Sequence, residues 1–130
     1  MYLTKKIVLL ACCSLLWMSC KTVSSTGSPA AGTIIGSWEG CDGRVVTFSS
    51  EENGEIVGRY SKLGGLARYG FDTNETGYRL RRQAAGTYAG TVKWRTTSGS
   101  VSWKKVTVSI QGDTYLDDSS DSCAKEMKRV

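Results

Sequence analysis

Residues 87–96 have the sequence TYAGTVKWRT, and this stretch decides the fold because apolar and polar positions alternate along it. Tyr88, Gly90, Val92 and Trp94 fall on one face. The residues on the other face are polar: Thr91, Lys93 and Arg95. Alternation with a period of two is typical of a β-strand that buries one face. The stretch therefore predicts a strand whose apolar side lies against a core.

The same alternation continues on both sides of this stretch, between short turn signals. Asn53 and Gly54 favour a tight hairpin, and no segment has a helical period. A bulge at Lys104 and Lys105 is needed to bring Trp103 into phase with the apolar residues that follow it. The predicted strands cover residues 34–41, 44–49, 55–63, 67–72, 78–83, 87–96, 101–110, 114–117 and 123–130. This pattern predicts an all-β fold: a single antiparallel up-and-down β-barrel of about eight strands, or a small β-sandwich.

Bulky aromatic residues are expected to occupy the barrel interior. A barrel of about eight strands is only just wide enough for its own side chains to fill it. The expected occupants are Trp38, Phe48, Tyr69, Phe71, Tyr88, Trp94 and Trp103. A filled interior is therefore the first expectation, and a cavity for a small apolar molecule is the alternative.

The first residues of the chain have the pattern of an export signal. Lys5 and Lys6 precede the apolar run Ile7–Met18, which is too short to span a bilayer. Ser19 and Cys20 follow. This arrangement resembles a bacterial lipoprotein signal, in which a small residue precedes the cysteine that receives the lipid.

The export signal divides the chain into three parts. We expect a lipoprotein signal peptide at 1–19, a lipidated Cys20 with a flexible tether at 20–33, and a β-barrel domain at 34–130. Lipidation at Cys12 is one alternative. Ordinary cleavage near Ser19, which gives a soluble secreted protein, is another.

Two cysteines lie beyond the export signal and the tether, Cys41 and Cys123. In an exported protein such a pair predicts one disulfide, because the compartment is oxidising. The bond would join the first strand to the last and therefore favours a barrel over a sandwich. Closing a loop of this length contributes about 4 kcal/mol in the chain-entropy treatment.

Composition excludes several classes of chemistry. The chain has 130 residues, no histidine and a formal net charge of +5. Without imidazole, Ser-His and Cys-His pairs and histidine metal sites are ruled out. Loss of Lys5 and Lys6 with the signal lowers the charge to +3, which is too small to indicate nucleic-acid binding. Glu39 and Asp42 form no acid–base motif, and the DDSSDS segment at 117–122 lacks the spacing of a calcium loop. We expect no enzymatic activity, cofactor, metal or nucleic-acid partner.

A set of basic residues on three neighbouring strands is a candidate binding surface. They could share the outer face of the sheet and meet an acidic protein, lipopolysaccharide or phospholipid head groups. The alternative is an ordinary solvated face, because outward charges keep an exported barrel soluble and protect its edges. The residues are Arg79, Arg81, Lys93, Arg95 and Lys104.

The motif Gly36-Ser37-Trp38 resembles the G-x-W opening of lipocalin-like barrels. In that family the tryptophan seals one end of the barrel, and a basic residue of the last strand packs on it. The resemblance implies that Trp38 lies at a barrel end with Arg129 against its ring.

A second resemblance is to the membrane-bound inhibitors of C-type lysozyme. These are small lipid-anchored barrels with a cysteine in the first strand, another near the end, and a loop offered to the enzyme. The order of motifs is similar here. The matching positions are Cys41-Asp42-Gly43, Ala85-Gly86-Thr87-Tyr88, Trp94-Arg95 and Cys123, with Ala85 where the family has serine.

These features together predict a bacterial envelope lipoprotein that acts as a non-catalytic binding module. Its acyl anchor would bind a lipid membrane, either at the outer membrane or at the cell surface or periplasmic face. The barrel would bind a protein or a small apolar ligand. A lysozyme-inhibitor-like periplasmic protein and a purely structural envelope lipoprotein are the alternatives.

Overall fold

The computed structural model describes residues 32–130, which form a closed antiparallel barrel. Each strand pairs with the next one in the chain, and the last strand pairs with the first. The all-β prediction is confirmed, and the closed sheet decides for the up-and-down barrel over the sandwich. The strands are β1 Gly36–Glu39, β2 Val45–Ser50, β3 Ile56–Lys62, β4 Thr76–Ala84, β5 Thr87–Arg95, β6 Val101–Gln111, β7 Thr114–Asp117 and β8 Glu126–Arg129.

A short seam between β1 and β8 closes the barrel. Its register joins Trp38 to Arg129 and Glu39 to Lys128. The predicted disulfide between Cys41 and Cys123 is present just beyond this seam, with the two Cα atoms 4.9 Å apart. A covalent bond thus reinforces the contact between two four-residue strands.

The core fills the middle of the barrel with aromatic and aliphatic side chains. Tyr115 is fully buried, and its ring centroid lies 5.8 Å from that of Trp38 and 5.9 Å from that of Phe48. Close packing of the Phe48 ring also requires Gly58 opposite it, because a Cβ there would lie 2.6 Å from the ring. The alternation of apolar residues therefore builds a packed centre, as expected for a barrel of this size.

The strand predicted at 67–72 is wrong. Residues Gly64–Tyr69 form a 3-10 helix, followed by a loop into β4. Gly64 and Gly70 both have positive φ, 52° and 81°, so the chain curls instead of extending. Leu66 and Phe71 are buried, whereas Ala67 is exposed. The segment covers one end of the barrel.

The bulge predicted at Lys104 and Lys105 is also wrong. The pairing of β5 with β6 continues without a shift from Thr87 opposite Ser109 to Arg95 opposite Val101. Val101 and Trp103 therefore stay out of phase with the buried residues of β6. Trp103 is 40% exposed and, on the other face of the hairpin, Trp94 is 36% exposed. Neither tryptophan occupies the barrel interior, because this hairpin extends beyond the packed centre.

The predicted signal peptide at 1–19, Cys20, Cys12 and the tether up to residue 31 lie outside the described residues. Within residues 32–130, no helix has the length and apolar character needed to cross a membrane.

Candidate functional site

The two ends of the barrel differ, and one of them is sealed by the start of the described chain. The main-chain N–H of Ile34 donates to the hydroxyl of Tyr88 at 3.2 Å, and the indole N–H of Trp38 donates to the Ile34 carbonyl at 2.8 Å. Arg129 donates to the carbonyl of Thr33 at 2.8 Å, while its guanidinium lies 4.2 Å from the centre of the Trp38 ring. This contact is the one that the lipocalin resemblance implies. We call this end, where residues 32–35 cross the barrel, the sealed end.

The opposite end holds a cleft of about 570 Å³, which we call the end cleft. Three connections surround it: the β1–β2 turn, the segment from the 3-10 helix to Phe71, and the β7–β8 loop, together with the last residues of β5. Its lining includes Arg44, Tyr60, Leu66, Phe71, Trp94 and Arg95. The cleft exists because the chain connecting β3 to β4 arches over the barrel mouth instead of adding a strand.

Aromatic rings form the floor of the end cleft. The ring of Tyr60 meets Phe71 edge-on at 5.1 Å and Tyr78 at 6.4 Å. Burial raises the pKa of Tyr60 and of Tyr78, so both stay neutral at physiological pH. Within residues 32–130, the Tyr60 hydroxyl makes no hydrogen bond, although it belongs to the cleft lining. This hydroxyl is therefore available to a polar group of a bound molecule.

A buried carboxylate lies beneath the floor. Asp117 is the one buried polar or charged residue of the described chain, at 4% exposure. Its Oδ2 accepts hydrogen bonds from the hydroxyls of Tyr78 at 2.9 Å and Tyr115 at 3.1 Å. Its Oδ1 accepts bonds from the N–H and the hydroxyl of Ser119 at 2.7 and 2.6 Å. All four bonds come from the protein itself, so this carboxylate serves the structure of the barrel.

Cations on the cleft wall are partly neutralised. The guanidinium of Arg44 lies 2.8 Å from the carboxylate of Asp42. Burial raises the pKa of the Asp42 carboxyl, but the hydrogen bonds and the charge of Arg44 outweigh burial, so this pKa lies below its ordinary value. Lys93 and Arg95 share the single carboxylate of Glu75, at 3.4 and 2.9 Å. The pKa of Glu75 is likewise lowered, because the Arg95 hydrogen bond and the two positive charges outweigh its burial. Two cations on one carboxylate leave the wall with an excess positive charge.

The five predicted basic residues do not form one uniform surface. Arg79 pairs with Glu55 at 2.8 Å, and Arg81 donates to the Asn53 carbonyl at 3.1 Å. Lys93 and Arg95 are held by Glu75, as described above. Lys104 lies on the other face of the sheet, where its Nζ is 3.9 Å from the centre of the Trp94 ring. The expectation that all five share the outer face is wrong, because the missing bulge leaves Lys104 in phase with Val92.

Sequence reasoning missed most of the end cleft. Arg44 and Tyr60 were not singled out, and Leu66 falls between two of the predicted strands. The glycine pair Gly64-Gly65 is the signal that marks the arch over the barrel mouth, since both glycines pack against the β1–β2 turn. Within residues 32–130, no group of three or more His, Cys, Asp or Glu side chains is placed to hold a metal ion.

The loop that resembles the lysozyme inhibitors lies far from the end cleft. Ala85 and Gly86 form the β4–β5 turn at the sealed end, and the Tyr88 hydroxyl is engaged with Ile34.

No family model matches this chain, and neither the curated proteins nor the solved structures include one that is significantly similar to it.

Proposed function

We propose that this protein is a lipid-anchored lipoprotein of the bacterial envelope whose barrel binds a small amphiphilic molecule in the end cleft, without catalysing a reaction. The observation that carries the proposal is the end cleft itself. Its volume of about 570 Å³ falls in the range of roughly 300–1,000 Å³ that is usual for small-molecule sites. Aromatic rings at its floor and cations on its wall suit a ligand with an apolar body and an anionic or polar group.

The apolar part of the ligand would lie against Tyr60, Phe71 and Trp94. Rings of this kind contribute large contact areas and need little reordering on binding. The excess positive charge near Arg95 and the Tyr60 hydroxyl would orient the polar group. A site of this composition selects by shape and charge, as a few polar groups in a mainly apolar pocket usually do.

The position of the chain entry supports an anchored binding module. Gly32 lies at the sealed end, where its carbonyl accepts a hydrogen bond from the Tyr88 hydroxyl at 3.4 Å. The end cleft lies at the opposite end. A lipid at Cys20 and the tether that follows would therefore leave the cleft mouth unobstructed. The lysozyme-inhibitor alternative gains no comparable support, because its matching loop, Ala85–Tyr88, lies at the sealed end.

The cleft is tested with a probe of matching chemistry, anilinonaphthalene sulfonate, which joins aromatic rings to an anionic group. We expect residues 32–130 to bind it saturably at one site, with quenching of tryptophan emission. Ala67→Trp should fill the cleft mouth, and Arg95→Gln should remove a cation; each is expected to weaken binding about tenfold, a difference of about 1.4 kcal/mol.

Arg81→Gln is the matched control, since it removes the same charge from the outer wall. Thermal unfolding of each variant shows whether the barrel is intact. Unsaturable binding, or equal affinity in Ala67→Trp, Arg95→Gln and the unchanged protein, would contradict the proposal.

The anchor is tested separately by metabolic labelling with a fatty acid in a bacterial host. The full chain should incorporate the label, and Cys20→Ala should lose it. Cys12→Ala is the matched control and should remain labelled. Label that persists in Cys20→Ala would refute this anchor site, and a full chain without label would refute lipidation.

A further inference from the structure

Exposed apolar side chains are concentrated on one hairpin. Within residues 32–130 the large exposed hydrophobic residues are Trp94, Val101, Trp103 and the terminal Val130. The first three lie at the end of the β5–β6 hairpin, which we call the β5–β6 arm, residues 93–105. Every residue of β6 from 101 to 105 is exposed, so the arm extends beyond the packed barrel. Clusters of exposed apolar residues on a soluble domain usually mark an interaction surface.

The two tryptophans of the β5–β6 arm lie on its opposite faces, and each has a cation over its ring. On the outer face, the Nζ of Lys93 lies 5.2 Å from the centre of the Trp103 ring. On the other face, the Nζ of Lys104 lies 3.9 Å from the centre of the Trp94 ring. A cation over the face of a tryptophan ring is attracted by the negative charge of that face. The arm is therefore aromatic and basic on both sides.

The charge of the β5–β6 arm has a single sign. Its sequence, KWRTTSGSVSWKK, holds four basic residues and no acidic one. Glu75 neutralises part of the charge of Lys93 and Arg95. Lys104 and Lys105 form no ion pair within residues 32–130. A negatively charged surface would complement this arm.

We propose that the β5–β6 arm docks on an anionic phospholipid surface. Tryptophan and lysine are the residues that favour the boundary between lipid and water, since an apolar ring or stem can enter while the polar part stays hydrated. A protein partner placed against the sheet would cover only one face of the arm. A lipid head-group layer that receives the tip of the arm covers Trp94 and Trp103 together. Lys93, Trp94 and Arg95 belong both to the arm and to the lining of the end cleft, so the variants that test the arm alone are placed at Trp103, Lys104 and Lys105.

The experiment is co-sedimentation of residues 32–130 with vesicles. This segment contains all eight strands, the core and the disulfide, and it carries no acyl group. We expect binding to vesicles of phosphatidylglycerol mixed with phosphatidylcholine, a blue shift of tryptophan emission, and weaker binding as salt rises. Phosphatidylcholine vesicles should bind far less.

Paired variants separate the arm from overall charge. Lys104→Gln with Lys105→Gln should weaken binding about thirtyfold, because each basic residue near an anionic surface contributes about fivefold. Lys125→Gln with Lys128→Gln removes the same charge from another part of the barrel and should weaken binding only slightly. Trp103→Ser, at an exposed position, should abolish most of the blue shift while the unfolding temperature is kept.

Three outcomes would overturn the proposal: no vesicle binding, equal binding to neutral vesicles, or equal losses in the two lysine pairs. Binding to soluble polyglutamate with the affinity seen for vesicles would also overturn it, in favour of an acidic protein. Binding of anilinonaphthalene sulfonate is measured without vesicles. A failure to bind vesicles therefore does not affect the test of the end cleft.

Discussion

Asp117 shows how one residue can organise the barrel interior. A carboxylate in an apolar centre is costly unless its oxygens are fully hydrogen-bonded. Here the hydroxyls of Tyr78 and Tyr115 and two groups of Ser119 meet it. Burial and the Asp117 charge raise the pKa of both tyrosines well above the ordinary value, so their hydroxyls remain donors. These bonds tie β4 and β7 to the loop at the end cleft.

Replacing Asp117 should therefore lower the free energy of unfolding. Asp117→Ala leaves the hydroxyls of Tyr78 and Tyr115 without their acceptor in the core, and we expect a loss of about 2–4 kcal/mol in the free energy of unfolding. Urea denaturation measures this loss. Asp121→Ala, an exposed carboxyl of the same DDSSDS segment, is the control and should change stability by less than about 0.5 kcal/mol. A similar small effect for Asp117→Ala would show that the network contributes little.

At the scale of elements, local alternation predicted most strands but not the segments where two patterns compete. The stretch at 87–96 pairs on both sides and alternates throughout, so its assignment is confirmed by β5. The segment at 67–72 also alternates, but it is short and follows Gly64-Gly65. The backbone freedom of the glycines, together with burial of Leu66, decides for a 3-10 helix.

The prediction of a bulge in β6 was wrong for a different reason. Its residues change phase between Trp103 and Val106, and a bulge was one way to keep both inside. The alternative is that the strand continues beyond the end of the packed core, and this is what the structure shows. Strand length relative to the packed centre is a property of the closed barrel, so the alternation of a single strand cannot reveal it. The β5–β6 arm is thus visible only once the barrel is assembled.

At the scale of the whole molecule, the closure of the barrel could be predicted from the sequence, whereas the end cleft could not. Cys41 and Cys123 indicated that the first and last strands meet, and both the disulfide and the seam confirm it. The end cleft depends on three loops that converge at one end, and its residues are scattered from Asp42 to Ala124. No local pattern brings such residues together. Only the placement of each connection at a barrel end does so.

The disulfide should supply a large part of the stability of the barrel. It closes a loop of 82 residues across a seam that has only two paired positions per strand. Cys41→Ser with Cys123→Ser should lower the free energy of unfolding by about 4 kcal/mol, mainly because the unfolded chain gains freedom. Urea denaturation measures the change, and reduction of the unmodified protein should produce a similar one. A loss below about 1 kcal/mol would contradict this account.

The same bond sets a limit on mechanical stretching. The chain enters the barrel at Gly32 and runs through β1, so traction on the preceding residues would peel this strand first. Peeling reaches Cys41, where the covalent link passes the load directly to Cys123. Residues 42–122 lie within the loop that this link closes and carry none of a force applied between the two chain ends. The fully extended chain from Gly32 to Cys41 spans roughly 30 Å. A pull at both ends would thus peel β1 and β8 only as far as the disulfide, so the extension stops at a length that Cys41 and Cys123 fix.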